Sequence, residues 1–182
     1  MVTTIDALDR QPLAPAALAE RARAVRLVLT DCDGVLTDGG VYYSTEGEAL
    51  KRFSVRDGMG VERLRLAGIG TAIVTREDSD LVAARAVKLG VVFLFAGVKD
   101  KGSHLDVISR ETGLDPAEMA YIGDDVNDVD ILGAVGGRGL TGAPCDAMPE
   151  AAMEAHYRCS LPGGHGAFRE FAEWILKLRE EA

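Results

Sequence analysis

The chain has 182 residues, of which 47% are hydrophobic and 27% charged, which is enough to bury the core of one globular domain. Its formal net charge of -9 argues against a surface for nucleic acid or for an anionic membrane, since either would need a basic face. No apolar run approaches the roughly 20 residues that cross a bilayer, and the first residues lack the hydrophobic region of a signal peptide. We therefore expect a cytoplasmic protein.

The order of apolar and helical segments predicts the fold class. An Ala-rich segment of helical spacing at 12–23 belongs to a predicted N-terminal extension over 1–24. Buried strands are predicted at four apolar runs, separated by helix-like segments that include 78–89 and 101–112; the four runs are 25–29, 70–74, 91–95 and 119–122. Strands that alternate with helices predict a single α/β domain over 25–182 with a parallel sheet.

Residues 39–55 do not follow this alternation. Apolar residues alternate with polar ones on both sides of a Ser-Thr-Glu-Gly turn at 44–47, which predicts a β-hairpin insert. The remaining residues before the second strand suffice for one helix. No sizeable lid domain fits there, so we expect an open site unless another subunit covers it.

Two carboxylates follow the first predicted strand at the point where a ligand would bind in a parallel sheet. Asp31 and Asp33 are two residues apart, and Gly34 allows the backbone to turn sharply. One carboxylate can attack phosphorus, while the other protonates the leaving oxygen and then activates water. The alternative is a pair of turn or helix-capping aspartates.

A second acidic cluster, Gly-Asp-Asp-Val-Asn-Asp at 123–128, follows another predicted strand. A site rich in carboxylates and without histidine favours a hard cation such as Mg²⁺. Asp31 and Asp124 are the predicted side-chain ligands, because without a metal these carboxylates would repel each other and an incoming phosphate. A capped surface helix would explain Asp125 or Asp128 better than it explains Asp124.

Thr75 and Lys101 complete the candidate catalytic set. Thr75 follows the second strand and can donate to a phosphate oxygen, while Lys101 begins a predicted helix and can neutralise charge on a transferring group. Alone, a strand-end threonine is usually a cap and a lysine is usually solvated. Both gain weight from their order in the chain.

The ordered motifs resemble the four motifs of haloacid dehalogenase phosphatases over about residues 25–175. The resemblance implies a Rossmann-like, doubly wound sheet without a large cap domain. It also implies that Asp31 is the nucleophile and Asp33 the general acid/base, with Thr75 and Lys101 holding the phosphate. Mg²⁺ would be bound by Asp31, the carbonyl of Asp33 and Asp124.

The hairpin resembles the insert of the small capless branch that contains 3-deoxy-manno-octulosonate 8-phosphate phosphatases and nonulosonate 9-phosphate phosphatases. This resemblance implies a phosphorylated sugar-acid substrate and a homo-oligomer, a tetramer in which hairpins pack together and a neighbour helps to cover each site. The substrate-binding residues that it implies are Ser54, Val55, Arg56, Asp57, Gly58, Glu77, Arg85, Lys88, Asn127, Gly163, Gly164 and His165.

The substrate motifs of the two groups are mixed in this chain. The Arg-Asp-Gly at 56–58 is similar to octulosonate enzymes, whereas Glu77 with Lys88, and His165 in the tail, are similar to nonulosonate enzymes. Both the nine-carbon and the eight-carbon sugar acid are therefore compatible with the sequence, and the balance of these residues favours the nine-carbon acid. Arg76 departs from both groups, which usually have glycine there. Glu77 and Lys88 are equally compatible with a solvated pair, and His165 with a mobile tail.

Three other functions are compatible with parts of the sequence. A non-catalytic oligomerisation module for a CMP-sugar-acid synthetase would not need the retained catalytic set. A phosphorylation-controlled receiver domain would place its acidic pair and its phosphate-accepting aspartate in a different order. The G-x-G-x-x-G at 137–142 lies late in the chain and precedes Ala-Pro, so it favours a loop at the last strand over a dinucleotide site.

Overall fold

The structure is a computed structural model that describes residues 12–180. Its strands are β1 Leu27–Thr30, β2 Thr37–Ser44, β3 Gly47–Phe53, β4 Gly70–Val74, β5 Phe93–Phe95, β6 Met119–Ile122, β7 Leu140–Ala143 and β8 Tyr157–Arg158. Its α-helices are α1 Pro15–Ala24, α2 Val55–Leu66, α3 Asp80–Leu89, α4 Lys101–Thr112, α5 Val129–Gly136, α6 Pro149–Met153 and α7 Ala167–Glu180. No helix within the described part of the chain is both long and apolar enough to cross a membrane.

Six parallel strands form one sheet in the order β5-β4-β1-β6-β7-β8, and β2 pairs with β3 as a separate antiparallel hairpin. From β1 the chain moves outward through β4 and β5, and it then returns to the other side of β1 at β6. This is the doubly wound order, with its switch point between β1 and β6. The predicted α/β fold with a parallel sheet and a small hairpin is confirmed.

Helices cover both faces of the sheet. Val28 and Ile73 belong to a hydrophobic core with residues of α1, α2, α3 and α7. Leu29 and Val74 point to the opposite face and pack with residues of α4, α5 and α6. Because both faces are buried, the central strands are almost continuously apolar, which is why the sequence revealed them as short hydrophobic runs.

Several element bounds differ from the predicted ones for local reasons. The first strand begins at Leu27 because Val25 caps the C-terminus of α1. The predicted extension is described from residue 12 onward, and residues 1–11 lie outside the described residues. The hairpin ends at Phe53, two residues before the predicted bound, because the Ser54 hydroxyl accepts hydrogen bonds from the first N–H groups of α2 and caps that helix.

The glycines of the G-x-G-x-x-G segment at 137–142 allow close packing around β7. Residues 140–142 of the G-x-G-x-x-G segment lie in β7, a buried strand that is followed by β8 and is therefore not the last. A β-carbon on Gly142 would meet the ring of Phe171 at 2.6 Å, and one on Gly139 would overlap the carbonyl of Met119. The glycines are thus required for close packing of the strand and its loop.

Candidate active site

The carboxyl ends of β1, β4 and β6 bring the predicted catalytic residues together. They form a cavity of about 190 Å³. The cavity is lined by Asp31, Asp33, Thr75, Arg76, Glu77, Asp124, Asp125 and Asn127. Within this described lining, Arg76 is the one cation among five carboxylates, so an anionic substrate would need help from a metal or from groups beneath the surface.

Asp31 is buried directly after β1. Its Oδ1 accepts hydrogen bonds from the N–H of Cys32 at 2.7 Å and from Nζ of Lys101 at 2.8 Å. Burial raises the pKa of Asp31 well above its ordinary value, and the charge of Asp128 adds to this, whereas Lys101 lowers it. Both donors contact Oδ1, which leaves Oδ2 for the nucleophilic role that the sequence predicts.

Lys101 is held between two carboxylates instead of being solvated. It is 1% exposed, and its Nζ lies 2.8 Å from Asp31 and 2.7 Å from Oδ1 of Asp128. Burial acts to lower the pKa of Lys101, but the charges of Asp31 and Asp128 outweigh it and raise the pKa overall. Lys101 therefore remains a cation in direct contact with Asp31.

Asp128, which the sequence suggested to be a helix cap, has a wider role. Its Oδ2 accepts hydrogen bonds from the N–H groups of Asp124 at 2.9 Å and Asp125 at 3.3 Å. Its Oδ1 accepts one from Lys101 and one from the hydroxyl of Tyr121 at 2.6 Å. Sequence reasoning missed Tyr121, although a phenol in a strand predicted to be buried requires a hydrogen-bond partner.

The acidic cluster can hold a divalent metal. Asp31, Asp124 and Asp128 each offer a carboxylate oxygen, and these atoms lie within 4.8 Å of one another. Oδ1 of Asp124 is buried and has no hydrogen-bond partner among residues 12–180. Burial, then the charges of Asp128 and Asp125, raise the pKa of Asp124 to about 7. A buried, unpartnered carboxylate oxygen among like charges fits a hard cation.

Asp31 and Asp124 are the better side-chain ligands, because all four donors around Asp128 already occupy its two oxygens. The predicted third ligand, the carbonyl of Asp33, stays a prediction. Gly34 allows the two acidic loops to meet: its φ is +88°, and a β-carbon there would overlap the carboxylate of Asp124. An L-amino acid with a side chain would push the loops apart.

Asp33 contacts the hairpin. Its Oδ1 accepts a hydrogen bond from the Thr37 hydroxyl at 3.1 Å, and its Oδ2 lies 2.7 Å from Nζ of Lys51. Sequence reasoning missed Lys51. The sequence did hold a signal for it, because side chains two residues apart in a strand lie on the same face. Lys51 therefore shares a face of β3 with Phe53, which packs against the core.

Thr75 and Glu77 lie at the end of β4. Thr75 is buried, and its hydroxyl oxygen accepts a hydrogen bond from the N–H of Glu77 at 3.2 Å. Both line the cavity at the carboxyl ends of β1, β4 and β6, as does the half-buried Asn127. Lys88 lies on the exposed surface of α3, outside this lining, and no ion pair joins it to Glu77 within residues 12–180.

A second cavity, of about 490 Å³, brings together the predicted substrate loop and tail. It is lined by Arg52, Phe53, Ser54, Val55, Arg56 and His165. Arg85 lies behind this loop: it donates to the carbonyl of Ser54 at 3.0 Å, and its guanidinium lies 5.5 Å from the ring centroid of Phe53. A β-carbon on Gly58 would lie 3.0 Å from Arg85. Arg85 and Gly58 thus support the loop from outside the cavity lining.

Asp57 and the tail glycines lie outside the lining of both cavities. Asp57 is buried, and its carboxylate accepts hydrogen bonds from the N–H groups of Gly166 at 3.1 Å and Arg169 at 3.0 Å, at the start of α7. The N–H of Gly164 donates to the carbonyl of Val35 at 2.9 Å. β-Carbons on Gly163 and Gly164 would overlap the backbone that follows β1. Asp57 thus attaches the tail to α2, whereas Gly163 and Gly164 pack it against the segment that follows β1.

Comparison with known proteins identifies the family, although no family model matches the chain. A 3-deoxy-D-manno-octulosonate 8-phosphate phosphatase from Yersinia pestis is 38% identical over 162 residues, which cover 89% of this chain and 85% of that protein. The structure of the Moraxella catarrhalis enzyme with magnesium, phosphate and KDO has a TM-score of 0.84 and 32% identity, and the match covers 90% of this chain and 92% of that one.

A HAD superfamily (subfamily III A) hydrolase from Legionella pneumophila also has a TM-score of 0.84, with 36% identity and coverage of 92% of this chain and 90% of that one. The predicted resemblance to haloacid dehalogenase phosphatases is confirmed. The expected nine-carbon acid is not favoured, because further curated relatives of 35% and 36% identity also carry the octulosonate name. The chain therefore belongs to the 3-deoxy-D-manno-octulosonate 8-phosphate phosphatase family, phosphoric monoester hydrolases of the haloacid dehalogenase superfamily.

Proposed function

We propose that this protein hydrolyses 3-deoxy-D-manno-octulosonate 8-phosphate with Mg²⁺ as cofactor, through a phosphoryl group carried by Asp31. The supporting observation is the buried Asp31–Lys101 pair, 2.8 Å apart, beside the unpartnered oxygen of Asp124. Asp31 and Asp124 would hold the metal, with the predicted carbonyl of Asp33. When bound, Mg²⁺ supplies positive charge that offsets the carboxylates and the phosphate.

In the first half of the reaction, an oxygen of Asp31 attacks phosphorus and the bond from phosphorus to the sugar oxygen breaks. Asp33 gives its proton to that leaving oxygen, so the sugar acid departs as an alcohol. Lys101 and Thr75 stabilise the charge on the transferring phosphoryl oxygens. Lys101 is suited to this role because Asp128 holds it at 2.7 Å independently of the substrate.

In the second half, the carboxylate of Asp33 accepts a proton from water while the water oxygen attacks phosphorus. The bond between phosphorus and the Asp31 oxygen then breaks, inorganic phosphate leaves, and both aspartates return to their starting states. An intact set of nucleophile, acid/base, lysine and metal ligands supports catalysis over the non-catalytic partner module.

The second cavity supports a substrate that carries a carboxylate. Arg52, Arg56 and His165 bring potential positive charge to a space of about 490 Å³, which lies in the range of small-ligand sites. Arg56 and His165 come from the two segments that the family resemblance assigned to substrate binding. The proposed sugar acid would thus place its phosphate among the aspartates and its carboxylate toward the guanidinium groups of Arg52 and Arg56.

We also propose a homo-oligomer, in keeping with the expected tetramer. The hairpin exposes large apolar side chains, including Tyr43 at 76% and Leu50 at 62% exposure. Monomeric proteins rarely leave such residues clustered without a partner. Light scattering should give the mass of a tetramer for the native protein and a smaller mass for a variant with Tyr43→Ser and Leu50→Ser. A monomeric native protein would contradict this proposal.

The substrate is tested by measuring kcat/KM for octulosonate 8-phosphate and for 2-keto-3-deoxynonulosonate 9-phosphate, each with Mg²⁺ or EDTA. We expect Mg²⁺-dependent turnover with the eight-carbon ester preferred. Arg56→Ala should raise KM for the preferred ester, whereas Arg110→Ala, an exposed change on α4, should not. Preference for the nine-carbon ester would overturn the proposed substrate and retain the reaction class.

A further inference from the structure

Lys51 of the hairpin forms an ion pair with the acid/base residue although it lies outside the main sheet. Its Nζ lies 2.7 Å from Oδ2 of Asp33 and 3.3 Å from Oε1 of Glu48, and its side chain is 1% exposed. Lysines are almost never fully buried unless they are paired. Because burying an ammonium group is costly without compensating carboxylates, the structure places this lysine specifically against Asp33.

Both strands of the hairpin hold Asp33. Thr37, the first residue of β2, is completely buried and donates to Oδ1 of Asp33, while Lys51 of β3 contacts Oδ2. Thr37 pairs with Phe53 in the hairpin register. The sheet positions Asp31, but the orientation of the Asp33 side chain is set by the insert.

Glu48 connects Lys51 to the opposite side of the site. Its Oε1 is buried and has Lys51 as its ion-pair partner, and its Oε2 accepts a hydrogen bond from the Ser79 hydroxyl at 3.2 Å. Ser79 immediately precedes α3, in the segment that follows Thr75. The contacts thus run from Asp33 through Lys51 and Glu48 to the loop after β4, which fixes Lys51 from two sides.

We infer that Lys51, fixed by Glu48, is a positioning residue that holds the Asp33 carboxyl where it reaches the leaving oxygen of the substrate. Lys51 forms no bond to the substrate and transfers no proton in this role. The inference rests on the proposed function of Asp33 as proton donor. The hairpin thus acts on catalysis through Lys51, whose side chain is buried, in addition to the proposed oligomer contacts of the exposed hairpin face.

The loss of activity expected on replacing Lys51 depends on the leaving group of the substrate. An alkyl phosphate needs a proton on its leaving oxygen, whereas p-nitrophenyl phosphate releases a stabilised phenolate and depends less on an acid. kcat/KM includes the steps up to departure of the leaving group. We expect Lys51→Met to lower kcat/KM for octulosonate 8-phosphate roughly 10- to 100-fold, part of the about 10²–10⁴ that general acid catalysis contributes, and for p-nitrophenyl phosphate less than about 3-fold.

Matched variants separate positioning from folding. Lys51→Arg should restore most of the activity on the alkyl ester, and Glu48→Gln should reproduce part of the loss. Lys177→Met, which removes an exposed lysine from α7, should leave both esters unaffected. Equal losses on both esters, in a Lys51→Met protein with native unfolding behaviour, would overturn the inference. If Lys51→Met does not fold, Glu48→Gln and Lys51→Arg are compared instead. Glu48→Gln should then lose more activity on the alkyl ester than on p-nitrophenyl phosphate, and Lys51→Arg should retain most of its activity on both.

β-Glycerophosphate serves as a second alkyl ester. If the native protein cleaves it but not octulosonate 8-phosphate, and the alkyl-to-aryl contrast persists in Lys51→Met, the proposed substrate fails and the role of Lys51 stands. If the native protein cleaves none of the three esters, the proposed function and the inference both fall.

Discussion

Replacing Tyr121 by Phe removes one hydrogen bond from the buried carboxylate that holds Lys101. The Tyr121 hydroxyl lies 2.6 Å from Oδ1 of Asp128, and both residues are completely buried. The Phe ring can occupy the same space because only the hydroxyl is lost. Asp128 keeps three donors: Lys101 and the N–H groups of Asp124 and Asp125.

The magnitude follows from the charge and the burial of Asp128. A hydrogen bond to a charged group contributes about 1.5–3 kcal/mol, and no solvent reaches Asp128 to replace the lost donor. We therefore expect the free energy of unfolding of the metal-free protein to fall by about 2 kcal/mol. For a chain of this length, that loss lowers Tm by about 4–8 °C.

Urea unfolding in EDTA, followed by circular dichroism, measures this loss. Tyr157→Phe is the matched control, because Tyr157 donates to Glu170 at 2.9 Å in a half-buried setting where water can replace the phenol. We expect the control to lose less than about 1 kcal/mol. Equal losses in the two variants, or a Tyr121→Phe protein within about 0.5 kcal/mol of native stability, would refute the reasoning.

Three further predictions concern charge, substrate and the tail. In EDTA, the contribution of Asp124 to the free energy of unfolding should decrease as pH rises from 3.8 to about 7, because the raised pKa of Asp124 means that the folded site favours its protonated form. The difference in unfolding free energy between the native protein and Asp124→Asn, measured across that range, isolates this contribution. Mg²⁺ should then raise Tm more at about pH 8 than at about pH 5, and Asp124→Asn should remove most of that difference. Arg76→Ala should raise KM for the sugar-acid phosphate several-fold with little change in kcat; unchanged KM would show that this cation does not contact the substrate. Asp57→Ala should lower the free energy of unfolding by about 2 kcal/mol, because two N–H groups at the start of α7 lose their acceptor. A raised KM at native stability would instead assign Asp57 to the substrate.

The clustering of the candidate site residues could be predicted from the sequence because each follows a short apolar run. Asp31 and Thr75 lie directly beyond β1 and β4, and Asp124 lies two residues beyond β6. Parallel strands place their carboxyl ends on one edge of a sheet. The strand order adds what the sequence lacked, namely that β1 lies between the other two.

The network that holds these residues could not be predicted, because its contacts join distant or ambiguous positions. Lys51 and Asp33 are 18 residues apart, and the alternation of β3 could indicate at most that Lys51 shares a face with Phe53. Asp57 was assigned to substrate by resemblance, while the structure engages it with backbone more than 100 residues away, at Gly166. The expected nine-carbon acid depended on exposed residues such as Glu77 and Lys88. An exposed position accepts many side chains, so these residues indicate little about the substrate.

The central claim is that Asp31 carries the phosphoryl group during turnover. It is tested by mixing the Mg²⁺-loaded protein with octulosonate 8-phosphate, quenching rapidly in acid and mapping phosphorylated peptides by mass spectrometry. We predict a phosphoryl group on Asp31 in the native protein, and neither phosphopeptide nor phosphate release in a folded Asp31→Asn variant. Phosphate release without phosphorylation of Asp31, together with retained turnover in Asp31→Asn, would contradict the account.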